Sequence, residues 1–182
     1  MTLWAVVLAA GDSSRMGTPK ALLDFHGRTF LETILTSMSD AGLAHRLVVL
    51  GRQAAQIEEG VNLSGTRVAL NPDPSRGMLS SLQEAIKIMN GPGPHSALVA
   101  LVDHPTVRSS TYRGRREAWE AAGEVGVFLS RRQGKRGHPV LLGPRALAAA
   151  RHSVRIATPY FLPDGDCPAS GYPQPASAGM KG

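Results

Sequence analysis

A single cysteine, Cys167, occurs in the 182-residue chain. One thiol makes neither an intramolecular disulfide nor a thiolate zinc site, so a stapled secreted scaffold is excluded. Aromatics are scarce as well, with two Trp, three Tyr and four Phe. That is too few to interleave with charge as a single-strand nucleic-acid platform requires. No apolar run approaches the ~18 to 20 residues that span a bilayer. The opening Leu3-Trp4-Ala5-Val6-Val7-Leu8-Ala9-Ala10 lacks a basic segment ahead of it and runs straight into Gly11-Asp12-Ser13-Ser14-Arg15. It reads as a buried strand rather than a signal peptide, and the protein as cytoplasmic with no membrane association.

What remains is ordinary in bulk, with 42% hydrophobic and 19% charged residues, enough for one good core but not two. Twenty Lys and Arg against fourteen Asp and Glu leave a net charge of +6, which invites anionic partners. Short apolar runs alternate with helical stripes. Residues 3–9, 46–50, 67–70 and 97–102 read as strands. Leu31, Ile34, Leu35 and Met38 fall on one helix face, with Gly42 placed as its cap. Leu79, Leu82, Ile86 and Met89 mark a second helix, closed by Asn90-Gly91-Pro92-Gly93-Pro94. A short helix at 53–59, another at 110–122, and strands near 125–130 and 139–142 complete the rhythm. The alternation predicts an α/β fold with a mainly parallel sheet over residues 1–150. From 159 to 182, nine of 24 residues are Gly or Pro, so residues 151–182 are expected to form an irregular tail.

In such a sheet the loops at the carboxyl ends of strands form the ligand crevice. The first strand delivers the chain into Gly11-Asp12-Ser13-Ser14-Arg15-Met16-Gly17-Thr18-Pro19-Lys20. Its glycines permit close backbone approach, its amides can cup an anion, and Arg15 and Lys20 add positive charge. Five residues separate Gly11 from Gly17, and Thr18-Pro19 precede Lys20, so this is not a Walker loop; G-x-G-x-x-G fails too. The strand at 97–102 ends on Asp103, a carboxylate at the crevice mouth or else a turn residue. Ser80 and Ser81 sit in the first turn of a helix, where they either bind a ligand or cap the helix. The Arg runs at 108–116 and 131–136 read as solvated faces, and nucleic acid as no partner.

Leu8 to Lys20 resembles the L-A-A-G-x-S-x-R-M-G-x-P-K signature of nucleotidyltransferases related to the molybdenum-cofactor enzymes. Asn71-Pro72 with Gly77-Met78-Leu79-Ser80-Ser81-Leu82, then Leu101-Val102-Asp103-His104-Pro105, then Arg136-Gly137-His138-Pro139-Val140-Leu141 follow in the family's order. The set is most similar to the cytidylyltransferase branch, which joins CMP to molybdopterin, and spans residues 3–147.

The resemblance implies a three-layer, Rossmann-like sandwich of the nucleotide-diphospho-sugar transferase type. It implies that Leu8, Ala9, Ala10 and Gly11 hold nucleotide through their backbone, and that Arg15 and Lys20 hold the triphosphate and the developing pyrophosphate. Asp103 would hold Mg²⁺, making Arg15, Lys20 and Asp103 the catalytic set. Asn71, Gly77, Ser80 and Ser81 would contact base and ribose, and His138 the acceptor phosphate. The implied partners are CTP, a phosphorylated pterin and a molybdoenzyme. GTP, a sugar-phosphate acceptor, or nucleotide binding without turnover are the alternatives.

The pattern departs at its end. The family's D-x-x-T-P-E-D segment is represented by Arg155-Ile156-Ala157-Thr158-Pro159-Tyr160, without the acids. Residues 154–164 instead resemble a stretch of phospholipase-D-type cardiolipin synthases, lacking that chemistry's H-x-K-x₄-D motif. The expectation is that the tail comes from a frameshift, rearrangement or fusion junction.

Overall fold

The computed structural model describes residues 1–11, 17–89, 93–123, 126–132 and 135–152. The predicted tail therefore lies outside the described residues, except for the end of the last helix.

Eight strands and five α-helices are described: β1 (Thr2–Ala9), β2 (Asp24–Phe25), β3 (Arg28–Thr29), α1 (Phe30–Asp40), β4 (His45–Leu50), α2 (Ala54–Gly60), β5 (Thr66–Leu70), α3 (Met78–Ile88), β6 (His95–Leu101), α4 (Ser109–Ala122), β7 (Val127–Arg132), β8 (Lys135–Leu142) and α5 (Pro144–His152). The main sheet has the order β5-β4-β1-β6-β8-β7. Its first four strands are parallel, while β8 runs antiparallel to both β6 and β7. The mainly parallel α/β sandwich is what the sequence predicts.

Strand β1 is buried along nearly its whole length because both of its faces are covered. Leu3, Ala5, Val7 and Ala9 join one core with Ile34 and Met38 of α1, Ile57 of α2 and Tyr112 of α4. Trp4, Val6, Leu8 and Ala10 join the other, with Leu82 and Ile86 of α3 and Leu147 and Ala150 of α5. The period-2 alternation of a strand thus divides one apolar run between two cores, and three layers result.

Local signals agree with this packing. Thr29 and Glu32 form a reciprocal capping box at the start of α1. At its end, Gly42 adopts φ 76°, and Leu43 donates its N–H to Met38 O at 3.1 Å, the Schellman arrangement. Of the four arginines at 108–116, two are anchored. Arg113 donates to Asp40 O at 3.0 Å and Arg116 to Gly42 O at 3.4 Å, bringing positive charge to the carbonyl end of α1.

Candidate functional site

Strand β1 pairs with β4 on one side and β6 on the other, so the strand order reverses between β1 and β6. In open α/β sheets the ligand crevice opens outside the carboxyl ends at such a switch point. A cavity of about 230 Å³ lies there, lined by the end of β1 and its loop, Lys20, the turn after β4, the start of α3, and Asp103.

Leu8, Ala9, Ala10 and Gly11 form one wall. Lys20 opens a one-turn 3₁₀ helix, Lys20–Leu22, that follows the glycine loop. Asp103 stands two residues past β6, in a turn pinned by two bonds: Val102 donates to Leu8 O at 3.2 Å and His104 to Leu101 O at 3.1 Å. These two approaches converge. Lys20 Nζ lies 3.6 Å from Asp103 Oδ2, with both side chains 44% exposed. Asp103 does not cap α4, whose N-cap is Arg108. Arg15 lies outside the described residues.

The third side of the cavity is carried by Gly77, Met78 and Ser81. Gly77 holds φ 87°, a left-handed value that suits glycine, and marks the break between a 3₁₀ turn (Pro74–Arg76) and α3. Asn71 and Ser80 lie behind this wall rather than in it. Asn71 is buried, and its side-chain amide donates to Ser80 Oγ and Ser81 Oγ, each at 2.9 Å. Its Oδ1 accepts from Asp73 N at 3.0 Å, while Ser80 Oγ donates to Gly77 O at 2.7 Å. Asn71 therefore ties the β5 exit to the first turn of α3 and sets where Ser81 stands. Asn71→Ala would remove the donor that both hydroxyls accept from and leave the Asp73 amide without its acceptor, and chemical denaturation should show a loss of about 2 to 3 kcal/mol.

Sequence reasoning missed the turn after β4. Gly51, Arg52 and Gln53 line the cavity. A Cβ on Gly51 would stand 2.5 Å from the Ala10 carbonyl oxygen, so β4 passes β1 here only without a side chain. The available signal was positional, since these residues follow a strand's carboxyl end just as Gly11 and Asp103 do.

His138 is on β8, which pairs with β6, the strand whose exit leads to Asp103. Its ring centroid is 6.1 Å from that of His104, and its buried Nδ1 has no hydrogen-bond partner among the described residues. Burial, and secondarily His104, lower its pKa from 6.5 to about 4, against a smaller opposing pull from Asp103. The imidazole is therefore neutral near neutrality. Between about pH 6.5 and pH 4 the unfolded chain binds this proton more readily than the folded one, so stability falls as pH drops through that window and levels off below it. Urea midpoints measured across the window should decline more steeply for the wild type than for His138→Gln.

A divalent cation fits this chemistry. Asp103 is a hard oxygen donor, open to solvent and facing the crevice, and its Oδ2 is the oxygen that faces Lys20 while Oδ1 is turned to His104. Among the described residues no group of three or more His, Cys, Asp or Glu converges as a self-sufficient metal site.

The family model of the MobA-like NTP transferase domain matches residues 5–158. The chain belongs to this family. It is 34% identical over 168 residues to nicotine blue oxidoreductase of Paenarthrobacter nicotinovorans, covering 86% of this chain and 79% of that protein. It is 27% identical over 146 residues to the molybdenum cofactor cytidylyltransferase of Escherichia coli K12, covering 80% of this chain and 72% of that protein. The crystal structure of Rv0371c from Mycobacterium tuberculosis H37Rv superposes with a TM-score of 0.75 at 28% identity, covering 84% of this chain and 76% of that one. Rv0371c has also been solved in complex with manganese, a structure that superposes with a TM-score of 0.72 at 25% identity. No described helix of the MobA-like chain is long and apolar enough to cross a membrane.

Proposed function

We propose that the chain transfers CMP from CTP to the phosphate of molybdopterin, releasing pyrophosphate, with Mg²⁺ as the ordinary divalent ion. The observation that carries the reading is the meeting of Lys20 and Asp103 at 3.6 Å on the rim of a cavity walled by the Leu8–Gly11 backbone. Phosphoryl chemistry of this kind depends mostly on positioning and charge neutralisation, and the two side chains supply the protein's cation and its metal-holding anion.

An acceptor phosphate oxygen attacks the α-phosphorus, and the bond from that phosphorus to the bridging oxygen of the β-phosphate breaks. The electron pair leaves on pyrophosphate. Lys20, joined by Arg15, holds the β- and γ-phosphates and stabilises the charge that builds on the leaving group. Asp103 would hold the divalent ion, which when bound neutralises phosphate oxygens. Ser81 and the Gly77 backbone face the nucleoside, positioned by Asn71 and Ser80, and His138 lies on the acceptor side. The reading takes the reaction to be cytoplasmic, with a molybdoenzyme receiving the product.

Titration calorimetry with CTP, GTP and ATP, with and without Mg²⁺, coupled to a pyrophosphate-release assay, tests this. CTP should bind tightest, and pyrophosphate should appear only with metal and the pterin acceptor present. Preference for GTP, or turnover with a sugar phosphate, would keep the chemistry and change the substrate. Binding without release would make the protein a nucleotide binder.

A second reading is favoured by the 34%-identical relative named as an oxidoreductase and by the cavity lining, in which Asp103 is the sole carboxylate among the described residues. The same crevice would then seat a nucleotide-bearing hydride donor. Metal-independent binding of a reduced nicotinamide dinucleotide, with no pyrophosphate release from any triphosphate, would establish it.

A further inference from the structure

The two oxygens of Asp103 face different neighbours. Oδ2 is turned to Lys20 at 3.6 Å, and Oδ1 to His104 Nε2 at 3.8 Å. We propose that His104 is a second protein ligand of the catalytic ion, so that the site offers one oxygen and one nitrogen donor and binds Mn²⁺ more tightly than the Mg²⁺ that ordinarily fills it. The proposal rests on the transferase reading in that Asp103 must hold the ion.

The separation of 3.8 Å is too long for a direct hydrogen bond. A movement of about 0.8 Å in the exposed imidazole would give the spacing of two neighbouring ligands on one ion. Donors each about 2.1 Å from a metal lie about 3 Å apart at right angles and about 4.2 Å apart when opposed. The backbone holds the pair in place. His104 donates its N–H to Leu101 O at 3.1 Å and accepts from Val107 N at 3.3 Å, so the turn carrying both side chains is bonded on either side. The His138 ring stands at 67° to that of His104, restricting it from the β8 side. His104 remains 41% exposed, which leaves Nε2 room to accept an ion arriving with the triphosphate.

The donor set has a chemical consequence. Mg²⁺ demands oxygen ligands in near-ideal octahedral geometry, and an imidazole contributes little to its binding. Mn²⁺ accepts carboxylate, phosphate and water, and as a transition ion it also takes imidazole nitrogen. The sequence offers no acid in the late segment where the family supplies a second carboxylate, and His104 would fill that coordination position from the Asp103 turn itself.

The test is pulsed electron paramagnetic resonance on Mn²⁺ added to the full chain, with and without CTP, using protein whose histidines carry either ¹⁴N or ¹⁵N. Imidazole modulation that changes with the isotope is expected in the wild type and in His138→Gln, and its loss is expected in His104→Gln. His104→Gln should also weaken Mn²⁺ binding roughly tenfold while changing Mg²⁺ binding far less. Bound Mn²⁺ without histidine modulation, modulation that survives His104→Gln, or failure of Mn²⁺ to bind at all would overturn the ligand assignment. If metal still tightens CTP binding in those cases, the transferase reading stands without it. If neither ion affects CTP, both fail together.

Discussion

Asp103→Asn should abolish turnover and leave the fold in place. The carboxylate touches the crevice rather than either core, is 44% exposed, and has Lys20 and His104 as its ionic neighbours. Neutralising it removes the anion that would hold the divalent ion, an interaction needed most as charge develops on the leaving pyrophosphate. A fall in kcat/KM of at least about 10³-fold is expected, or roughly 4 kcal/mol. The thermal midpoint should barely move, because exposed ion pairs contribute at most about 1 kcal/mol. Wild-type turnover in this variant would remove the basis for a metal-assisted mechanism, whereas unfolding would show that the turn is structural.

Lys20→Met is expected to act on the other half of the reaction. With the ammonium gone and the aliphatic stem retained, CTP should bind about 30-fold more weakly, close to 2 kcal/mol, as fits the loss of a charge-assisted bond to phosphate. CMP should bind almost as well as before, since it has no β- or γ-phosphate for Lys20 to reach. Calorimetry on the two nucleotides separates a triphosphate clamp from a general loss of the pocket. Equal weakening of both would place Lys20 against the nucleoside or the α-phosphate.

The parts of the fold visible in the sequence were those whose signal is local and apolar. Strand β1 announced itself because burial on two faces demands an unbroken apolar run, and α1 because its stripe and terminal glycine coincide within one short segment. The small hairpin of β2 and β3 was not legible, since two-residue strands have no periodicity. Strand β8 begins at Lys135 rather than 139, because its outer half is basic and carries no apolar alternation. Helix α5 went unread behind its run of alanines, although Pro144 at its start and Leu147 and Ala150 three apart were usable signs. In the site, Lys20 and Asp103 were found from their positions at strand ends. The turn at Gly51–Gln53 and the partnership of Asp103 with His104 depend on which strands lie side by side and where a turn directs its side chains, and that is decided only by tertiary packing.

The seam where β6 meets β8 separates two kinds of architecture. On one side, Leu8 and Leu101 are direct register partners, so the cationic and anionic halves of the crevice are spaced by one rung of a parallel ladder. On the other, the antiparallel pair β7 and β8 joins the sheet along Ala97–Val99 and carries His138 beyond that junction. A hairpin can lengthen, bulge or exchange side chains without altering the rung that sets the reactive spacing, and a register shift between Leu129 and Ser130 already interrupts this one. Under the transferase reading, editing the hairpin would alter the acceptor side while the spacing of Lys20 and Asp103 stays fixed by the parallel strands.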